Sequence, residues 1–516
     1  MRLKDWVRLT GSIGFINLVT IAVGLAFQVG VARFFGASPT MDAYVVALGL
    51  PDLVGSVFLL ATFPTLTAPL FADVRHRSGE ADAWRMVSQL ITLLTLGGLL
   101  LSALVSVVAP PLVMALAPGL QGDKFATTVW LTRLLFPTVI LAMLRSSLMA
   151  LLNIQGRFAL PYLVILVTKA AELAMLLLWG PHRVIELLVA LVWFDGIVTT
   201  IVFWLLLPGR HRLRLSLGWT PAFRQALASA AMITLVGVLG QISDYAYRWF
   251  GSFLRDGAIS LYYYASKFMP LSLGFLSMLI GRTLLPTLSA LSAGKEWPGL
   301  KAEVERGFRV AVFLLVPLLA ALWVGRDAML SILLSRGAFS EADLEIASRL
   351  VLLLLPATAA CALTSLFQVV LYAAQRLRQA ATVTGTAVAL EIVLMAWLVP
   401  RFDVVGIAIA MAVSRLAVFA LAVRLAESQT TSFSLWPTVP WTGRLVAAAA
   451  ACVIAIRGLA AWLEVSPWHS PLFFMTIEAG VFAGLYPLGL YLLGVREVRD
   501  VVALVVGKGR AFARSA

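Results

Sequence analysis

Long apolar runs, separated by short polar connections, extend over almost the whole chain of 516 residues. A membrane-spanning helix needs about 20 mostly apolar residues. The pattern therefore predicts an all-α, polytopic membrane protein of about fourteen transmembrane helices. We place the helices near residues 11–35, 41–71, 85–117, 126–153, 158–180, 184–207, 226–253, 258–292, 308–335, 342–374, 380–400, 404–425, 443–464 and 471–494. The first run is longer than a signal-peptide core, so we expect it to remain as a helix.

The composition agrees with this pattern, because 61% of the residues are hydrophobic and only 13% are charged. Soluble domains contain about 45–50% apolar and about 25% charged residues. These values exclude a water-soluble enzyme, a disordered chain and a disulfide scaffold. The two cysteines lie far apart in apolar runs, the four histidines are scattered, and no HExxH or Walker-type motif occurs. We therefore expect no catalytic site, no metal and no bound cofactor.

Basic residues are distributed unequally between the predicted connections. With the N-terminus in the cytoplasm, the cytoplasmic side carries twenty-four Lys and Arg residues. The outer side carries five: Lys124, Arg183, Arg255, Arg336 and Arg401. Cytoplasmic loops are rich in Lys and Arg, so both termini are predicted to be cytoplasmic. This asymmetry also explains most of the net charge of +14, and we expect contact with membrane lipids rather than with nucleic acid.

A weak internal repeat divides the predicted helices into two sets of six. Pro51 followed by Pro64-Thr65-Leu66 is echoed, close to 220 residues later, by Pro270 followed by Pro286-Thr287-Leu288. An even number of helices makes the two lobes parallel, an arrangement found in transporters. The sequence thus predicts an N-terminal lobe at 1–220, a C-terminal lobe at 221–428, and two further helices with a cytoplasmic tail at 429–516.

Charged residues inside the predicted helices are the strongest functional signal, because a charge at the bilayer centre costs about 2.5–3.5 kcal/mol on insertion scales. Lys169 and Glu172 are three residues apart on one helix and are expected to pair. A basic cavity suits a phosphate-bearing anion. We predict that its substrate-binding cations are Arg33, Arg145, Arg248 and Lys267. The acids that tune these cations or hold a coupling ion are predicted to be Asp42, Asp52, Asp244 and Glu391.

Helix-breaking residues lie within several predicted helices. Pro51, Pro270 and Gly274 are examples at which a membrane helix could bend. Such positions are either static kinks or hinges for alternating access. The sequence alone leaves both interpretations open.

Several short motifs resemble one family. They include Ala32-Arg33-Phe34-Phe35-Gly36-Ala37, Asp42-Ala43-Tyr44 and Leu50-Pro51-Asp52-Leu53. Further matches are Leu134-Leu135-Phe136-Pro137, Tyr262-Tyr263-Tyr264-Ala265 and Ser335-Arg336-Gly337-Ala338-Phe339. Between about residues 10 and 425 the chain resembles the MurJ (MviN) family of lipid II flippases, within the multidrug/oligosaccharidyl-lipid/polysaccharide exporter superfamily.

The resemblance implies a non-enzymatic transporter in the bacterial cytoplasmic membrane that serves peptidoglycan biosynthesis. Its substrate would be a polyprenyl-pyrophosphate-linked glycan, moved from the cytoplasmic to the outer leaflet. Arg33 and Asp42 match family positions and are implied to be functional. The family's Arg-Asp pair before Arg33 is replaced by Phe27-Gln28, and a family asparagine is replaced by Lys169. The predicted cavity is therefore basic, but some of its residues differ from those of the family.

Alternative functions follow from these departures. The substrate could instead be an exopolysaccharide or O-antigen repeat unit linked to the same kind of lipid. A cation-coupled drug exporter would favour twelve helices and an acidic or aromatic cavity, and a membrane-embedded glycosyltransferase would need catalytic acids in a large outer domain. The sequence leaves open whether sodium, protons or the membrane potential drives transport, and whether a cell-envelope synthase is a partner.

Overall fold

The computed structural model describes residues 3–61, 63–182, 184–210, 213–218, 241–243, 245–267, 269, 284–334, 339–429, 438–463 and 471–495. The described residues contain helices and connecting turns but no β-strand. The helices are α1 (Leu3–Phe35), α2 (Pro39–Ala61), α3 (Phe63–Ser78), α4 (Glu80–Leu116), α5 (Gly122–Leu135), α6 (Thr138–Ile154), α7 (Ala159–Trp179), α8 (Ile185–Leu206), α9 (Ala258–Ser266), α10 (Leu285–Ala293), α11 (Trp297–Leu334), α12 (Glu341–Ala373), α13 (Leu377–Gln429), α14 (Val439–Leu463) and α15 (Pro471–Leu492). The predicted all-α class is confirmed.

Eight helical segments of the described chain are long and apolar enough to cross a bilayer. One of them, Arg378–Ser428, is 51 residues long and contains non-helical backbone at Asp403, with φ of 54° and ψ of −143°. A continuous helix of that length would extend about 75 Å, more than twice the apolar thickness of a membrane. This segment therefore supplies the length of two of the predicted spans, 380–400 and 404–425. A polytopic membrane protein is confirmed, and the total of fourteen stays a prediction.

The chain forms two compact units. Unit 1 comprises Met1–Tyr264, Gly337–Asp343 and Glu391–Ile407. Unit 2 comprises Ala265–Arg336, Leu344–Leu390 and Ala408–Ala516. The predicted lobe boundaries at residues 220 and 428 follow the internal repeat and stay predictions.

Within unit 1, α1 packs along α7, α2 along α5, and α6 along α8. Glycines permit two of these close approaches. A Cβ atom at Gly30 would lie 2.8 Å from Leu176 Cδ2, and one at Gly196 would lie 2.9 Å from Leu141 Cδ1. Small residues are typical of tightly packed membrane helices because they let the backbones approach. Gly196 thus holds α8 close to α6 at the level where charged residues lie.

Within unit 2, a large apolar core is built around aromatic rings. Phe367 is fully buried, and its ring centroid lies 6.3 Å from that of Phe308 and 6.0 Å from that of Phe419. The last two helices, α14 and α15, pack on α11 and on each other. An ion pair of 2.8 Å between Arg457 of α14 and Asp327 of α11 joins the same elements.

Proline interrupts several helices of the described chain. Pro51 lies inside α2 and Pro356 inside α12, while Pro137 separates α5 from α6. The predicted hinge residues Pro270 and Gly274 lie outside the described residues.

We predict that Phe367→Ala lowers the free energy of unfolding by about 3–5 kcal/mol, because it leaves a cavity among rings that cannot fully collapse. The midpoint of thermal unfolding in detergent, followed by size-exclusion chromatography after heating, measures this loss. Val393→Ala is the control, since Val393 is 64% exposed and loses few contacts. Equal midpoints for the two variants would contradict the assignment of this core.

Candidate functional site

A cavity of about 580 Å³ lies within unit 1, between α1, α2, α6, α7 and α8. Five acidic or basic side chains line it: Asp52, Arg145, Lys169, Glu172 and Asp195. Its volume falls within the range of small-molecule sites, about 300–1,000 Å³. The cavity therefore combines space with charges that membrane helices usually exclude.

Four of these charges form one connected network. Arg145 Nη1 lies 2.6 Å from Asp195 Oδ2, and Lys169 Nζ lies 2.7 Å from Glu172 Oε2. Lys169 Nζ also lies 3.8 Å from Asp195 Oδ2, which joins the two pairs. The predicted pairing of Lys169 with Glu172 is confirmed.

The sequence places this network deep in the membrane. Lys169 is ten residues from the first residue of α7 and Asp195 is ten residues from the first residue of α8. At 1.5 Å per residue, each side chain begins about 15 Å from a helix end, near the middle of a bilayer about 30 Å thick. Thr199, one turn after Asp195, donates a hydrogen bond of 3.3 Å to its Oδ1. Unpaired charges at this depth would be costly, which explains why each is matched.

The described cavity wall carries two cations and three carboxylates. The predicted cavity was basic, and the difference arises because the acids of α7 and α8 face the same space as Arg145 and Lys169. The residues Phe27 and Gln28 of α1 also line it. Gln28 Oε1 is buried without a hydrogen-bond partner, so an amide acceptor is left for a ligand's hydroxyl or amide.

A second cluster in unit 1 surrounds Asp42, which is fully buried. Its Oδ2 accepts hydrogen bonds of 2.8 Å from Gly257 N and from Lys124 Nζ, and its Oδ1 accepts one of 2.8 Å from Ser260 N. Lys124 Nζ also lies 2.9 Å from Asp256 Oδ1. The carboxylate thus caps the N-terminus of α9, where backbone N–H groups favour an anion. We call Asp42, Lys124, Asp256, Gly257 and Ser260 the junction.

Close backbone contact surrounds the junction. Gly257 has a φ of +87°, and a Cβ atom there would lie 2.8 Å from Ala37 O. A Cβ atom at Gly119 would lie 2.3 Å from Ser252 O, and Gly119 N donates a hydrogen bond of 3.1 Å to Ser252 Oγ. Segments far apart in sequence are therefore held together at this point by glycines as well as by charge.

The four predicted substrate-binding cations occupy different places. Arg145 lines the cavity, whereas Arg33 is exposed in the last turn of α1, with its guanidinium 5.9 Å from the Phe34 ring. Arg248 is buried, and its Nε donates a hydrogen bond of 3.2 Å to Val45 O. Lys267 is half-buried and belongs to unit 2. Their roles in binding stay predictions.

Arg248 depends on a glycine of α2. A Cβ atom at Gly49 would lie 2.7 Å from Arg248 Nε, so any larger residue would displace the guanidinium. The guanidinium carbon also lies 4.7 Å from the centroid of the Tyr247 ring and 5.5 Å from that of Tyr245. These contacts make it a packed residue of unit 1.

The predicted acids also lie at different places in the structure. Asp52 and the predicted hinge residue Pro51 line the cavity, whereas Asp42 lies at the junction. Glu391 is buried in α13 and accepts a hydrogen bond of 2.5 Å from Ser243 Oγ. Asp244 lies outside the described residues.

Sequence reasoning did not assign Asp195 and Lys124 to a site. Asp195 was visible as an acid in the middle of an apolar run, but its partners lie 50 and 26 residues away along the chain. In the sequence, Lys124 has no feature that distinguishes it from other charged residues of the outer loops. Only the fold shows that it contacts Asp42. Among the residues that the structure describes, no three His, Cys, Asp or Glu side chains are grouped so that they could hold a metal ion.

Residues 31–477 match the family model described as "Lipid II flippase MurJ". The protein of Burkholderia cenocepacia named Lipid II flippase MurJ is 26% identical over 344 residues, which cover 64% of this chain and 66% of that protein. The Vibrio cholerae protein named Probable lipid II flippase MurJ is 25% identical over 508 residues, which cover 95% of this chain and 96% of that protein.

A solved structure described as "Lipid II flippase MurJ, inward closed conformation" has the same fold. The TM-score is 0.77 at 17% sequence identity, over 95% of this chain and 99% of that chain. The fold of a polytopic transporter therefore extends over nearly all of this sequence.

We predict that Asp42→Ala lowers the free energy of unfolding by about 3–5 kcal/mol, because it leaves Lys124 and two backbone N–H groups without their shared acceptor. Thermal unfolding in detergent measures the loss. Arg349→Ala is the matched control, because its ion pair with Glu345 is exposed and is worth less than about 1 kcal/mol. A midpoint for Asp42→Ala that equals the wild-type midpoint would contradict the role given to the junction.

Proposed function

Because the chain belongs to the Lipid II flippase MurJ family, we propose that it moves a polyprenyl-pyrophosphate-linked glycan from the cytoplasmic to the outer leaflet of a bacterial cytoplasmic membrane. The observation that carries this proposal is the cavity of unit 1, in which Arg145 and Lys169 lie at mid-membrane depth. We name lipid II, the peptidoglycan precursor, as the first candidate substrate.

The chemistry of the cavity suits such a head group. A pyrophosphate that is esterified at both ends carries two negative charges, and Arg145 and Lys169 supply two positive charges. Guanidinium and ammonium groups bind phosphate oxygens through charge-assisted hydrogen bonds. Gln28 Oε1 is available to accept a hydrogen bond from a sugar hydroxyl. The lipid tail would stay among the membrane lipids, outside the cavity.

Alternating access is the mechanism that we propose. The junction joins α2 to the start of α9 through a few hydrogen bonds around one carboxylate, a contact that can open as a unit. Proline inside α2 at Pro51, beside the cavity, gives a position at which that helix could bend. Opening the junction would expose the cavity on one side of the membrane, and closing it would isolate the cavity from that side.

The membrane potential can contribute to the energy of transport. Moving one charge across 100 mV is worth about 2.3 kcal/mol. With both termini in the cytoplasm, as the distribution of basic residues predicts, an inside-negative potential favours outward movement of a doubly charged head group. A cell-envelope synthase that consumes the delivered glycan is the partner we expect.

A different lipid-linked glycan is the second candidate substrate. The observation that favours it is the position of Phe27 and Gln28 on the cavity wall, where the family pattern has an Arg-Asp pair. An aromatic ring and an amide at this place would contact the sugar rather than a phosphate. The repeat unit of an exopolysaccharide or O-antigen has the same pyrophosphate link and a different sugar.

Complementation tests the proposal. We expect the wild-type chain to restore growth to a bacterium whose own lipid II flippase is shut off, at a membrane level confirmed by immunoblot. Lysis in spite of good insertion would exclude lipid II. Native mass spectrometry of co-purified lipids would then identify the glycan that the chain carries.

We predict that Arg145→Gln reduces transport at least about tenfold, because it removes one charge-assisted contact to the pyrophosphate. Asp195 keeps Lys169 as a partner at 3.8 Å, so the fold should persist. Arg133→Gln is the control, because Arg133 is exposed and donates to Ser106 O, away from the cavity. Growth of cells with Arg145→Gln at the wild-type rate would contradict the role of Arg145.

A further inference from the structure

The two cations of the cavity are each paired with a carboxylate of the chain. Arg145 Nη1 is bound at 2.6 Å by Asp195, and Lys169 Nζ is bound at 2.7 Å by Glu172. An anionic ligand therefore competes with these carboxylates for the two cations, and a ligand oxygen that takes the place of a carboxylate displaces that acid. What happens to the displaced acids decides how binding is coupled to ions.

The displaced acids cannot reach water easily. The Glu172 side chain is only 2% exposed and the Asp195 side chain 14% exposed. An ionised carboxylate that is buried without a partner is costly, and in proteins it usually takes up a proton instead. If Lys169 moved away, Glu172 would be a buried carboxylate without its cation.

No other cation of the described cavity wall can replace the lost partners. The titratable or charged groups that face Glu172 are Tyr44 and Asp52 from α2, Arg145 from α6, Lys169 from α7, Asp195 from α8 and Tyr263 from α9. The α1 side of the cavity supplies Phe27 and Gln28, which carry no charge. The described wall thus holds two positive and three negative charges before any ligand enters.

The charges of the cavity wall and of the ligand also favour proton uptake. A pyrophosphate diester would bring two further negative charges to two cations that Asp195 and Glu172 already neutralise. Coulomb repulsion at separations of a few ångström in a medium of reduced dielectric is strong. Neutralising one carboxylate with a proton removes part of this repulsion and frees Lys169 for the ligand.

We infer that binding of a pyrophosphate-linked head group to Arg145 and Lys169 is coupled to proton uptake by the carboxylates that they release, chiefly Glu172. The proton comes from solvent and forms the neutral acid at Glu172, and no other bond is made or broken. This inference rests on the proposed function, and it names the proton as the ion that is taken up when the head group binds at that same site. Lys169 becomes a second substrate contact, and Glu172 and Asp195 become proton-binding residues.

Isothermal titration calorimetry of the purified full-length chain tests the inference. The ligand is farnesyl-pyrophosphoryl-N-acetylglucosamine, whose two phosphates are both esterified and keep two fixed negative charges near neutral pH. Titrations at pH 7 in buffers of different ionisation enthalpy give the number of protons taken up. We expect about one proton per ligand, and an affinity that rises up to about tenfold for each unit by which the pH falls.

Single substitutions identify the residue that takes up the proton. Glu172→Gln should still bind the ligand, while proton uptake falls by at least half. Lys169→Gln should bind about tenfold to 100-fold more weakly, because it removes a charge-assisted contact. Arg133→Gln should leave affinity and proton uptake unchanged. If Glu172→Gln does not fold, the pH dependence of wild-type affinity still tests the coupling.

The outcomes separate this inference from the proposed function. Failure of the ligand to bind would count against both. Binding with no proton exchange would overturn the inference alone, as would an affinity that depends on sodium rather than on pH. Proton uptake that persists unchanged in Glu172→Gln and in Asp195→Asn would also overturn it, because the proton would then bind elsewhere.

Discussion

An ionised side chain inside a membrane must find a partner, and this requirement governs the functional part of the molecule. Charges of α6, α7 and α8 line one cavity near mid-bilayer: Lys169 pairs with Glu172 along α7, and Arg145 of α6 pairs with Asp195 of α8. The close contact between α6 and α8, which Gly196 allows, brings the second pair together. The pairing lets these charges exist where hydrocarbon would otherwise exclude them.

The same requirement explains the junction. Asp42 is fully buried, and it is neutralised by Lys124 and by the backbone N–H groups at the start of α9. Its carboxylate accepts hydrogen bonds from backbone N–H groups more than 200 residues away along the chain. Removing a partner from such a contact is costly, because it leaves a buried charge that is not fully compensated.

The charged network of the cavity and the junction are two places in unit 1 where buried charges are paired. Phe27 and Gln28 of α1 and Lys169 of α7 line one cavity wall. Lys169 is accompanied there by two carboxylates, Glu172 at 2.7 Å and Asp195 at 3.8 Å. The cations of this cavity are therefore already paired, and under our proposal an incoming anion competes with those partners.

Sequence alone determined the class of the protein and most of its helices. Hydropathy and proline positions are local properties, so the runs at 85–117, 158–180 and 184–207 correspond closely to α4, α7 and α8. The pairing of Lys169 with Glu172 was also predictable, because three residues separate neighbours on one helical face. The family was predictable from motifs such as that around Arg33, which the family match confirms.

Only the tertiary structure decided which charges meet. Arg145 faces the cavity and Arg33 does not line its described wall, although both lie in apolar helices and carry the same charge. Asp195 joins Arg145 and Lys169, and Lys124 joins Asp42, across intervals that no local pattern encodes. The physical reason is that insertion into a membrane depends on the composition of each segment, whereas pairing depends on which helix faces pack together.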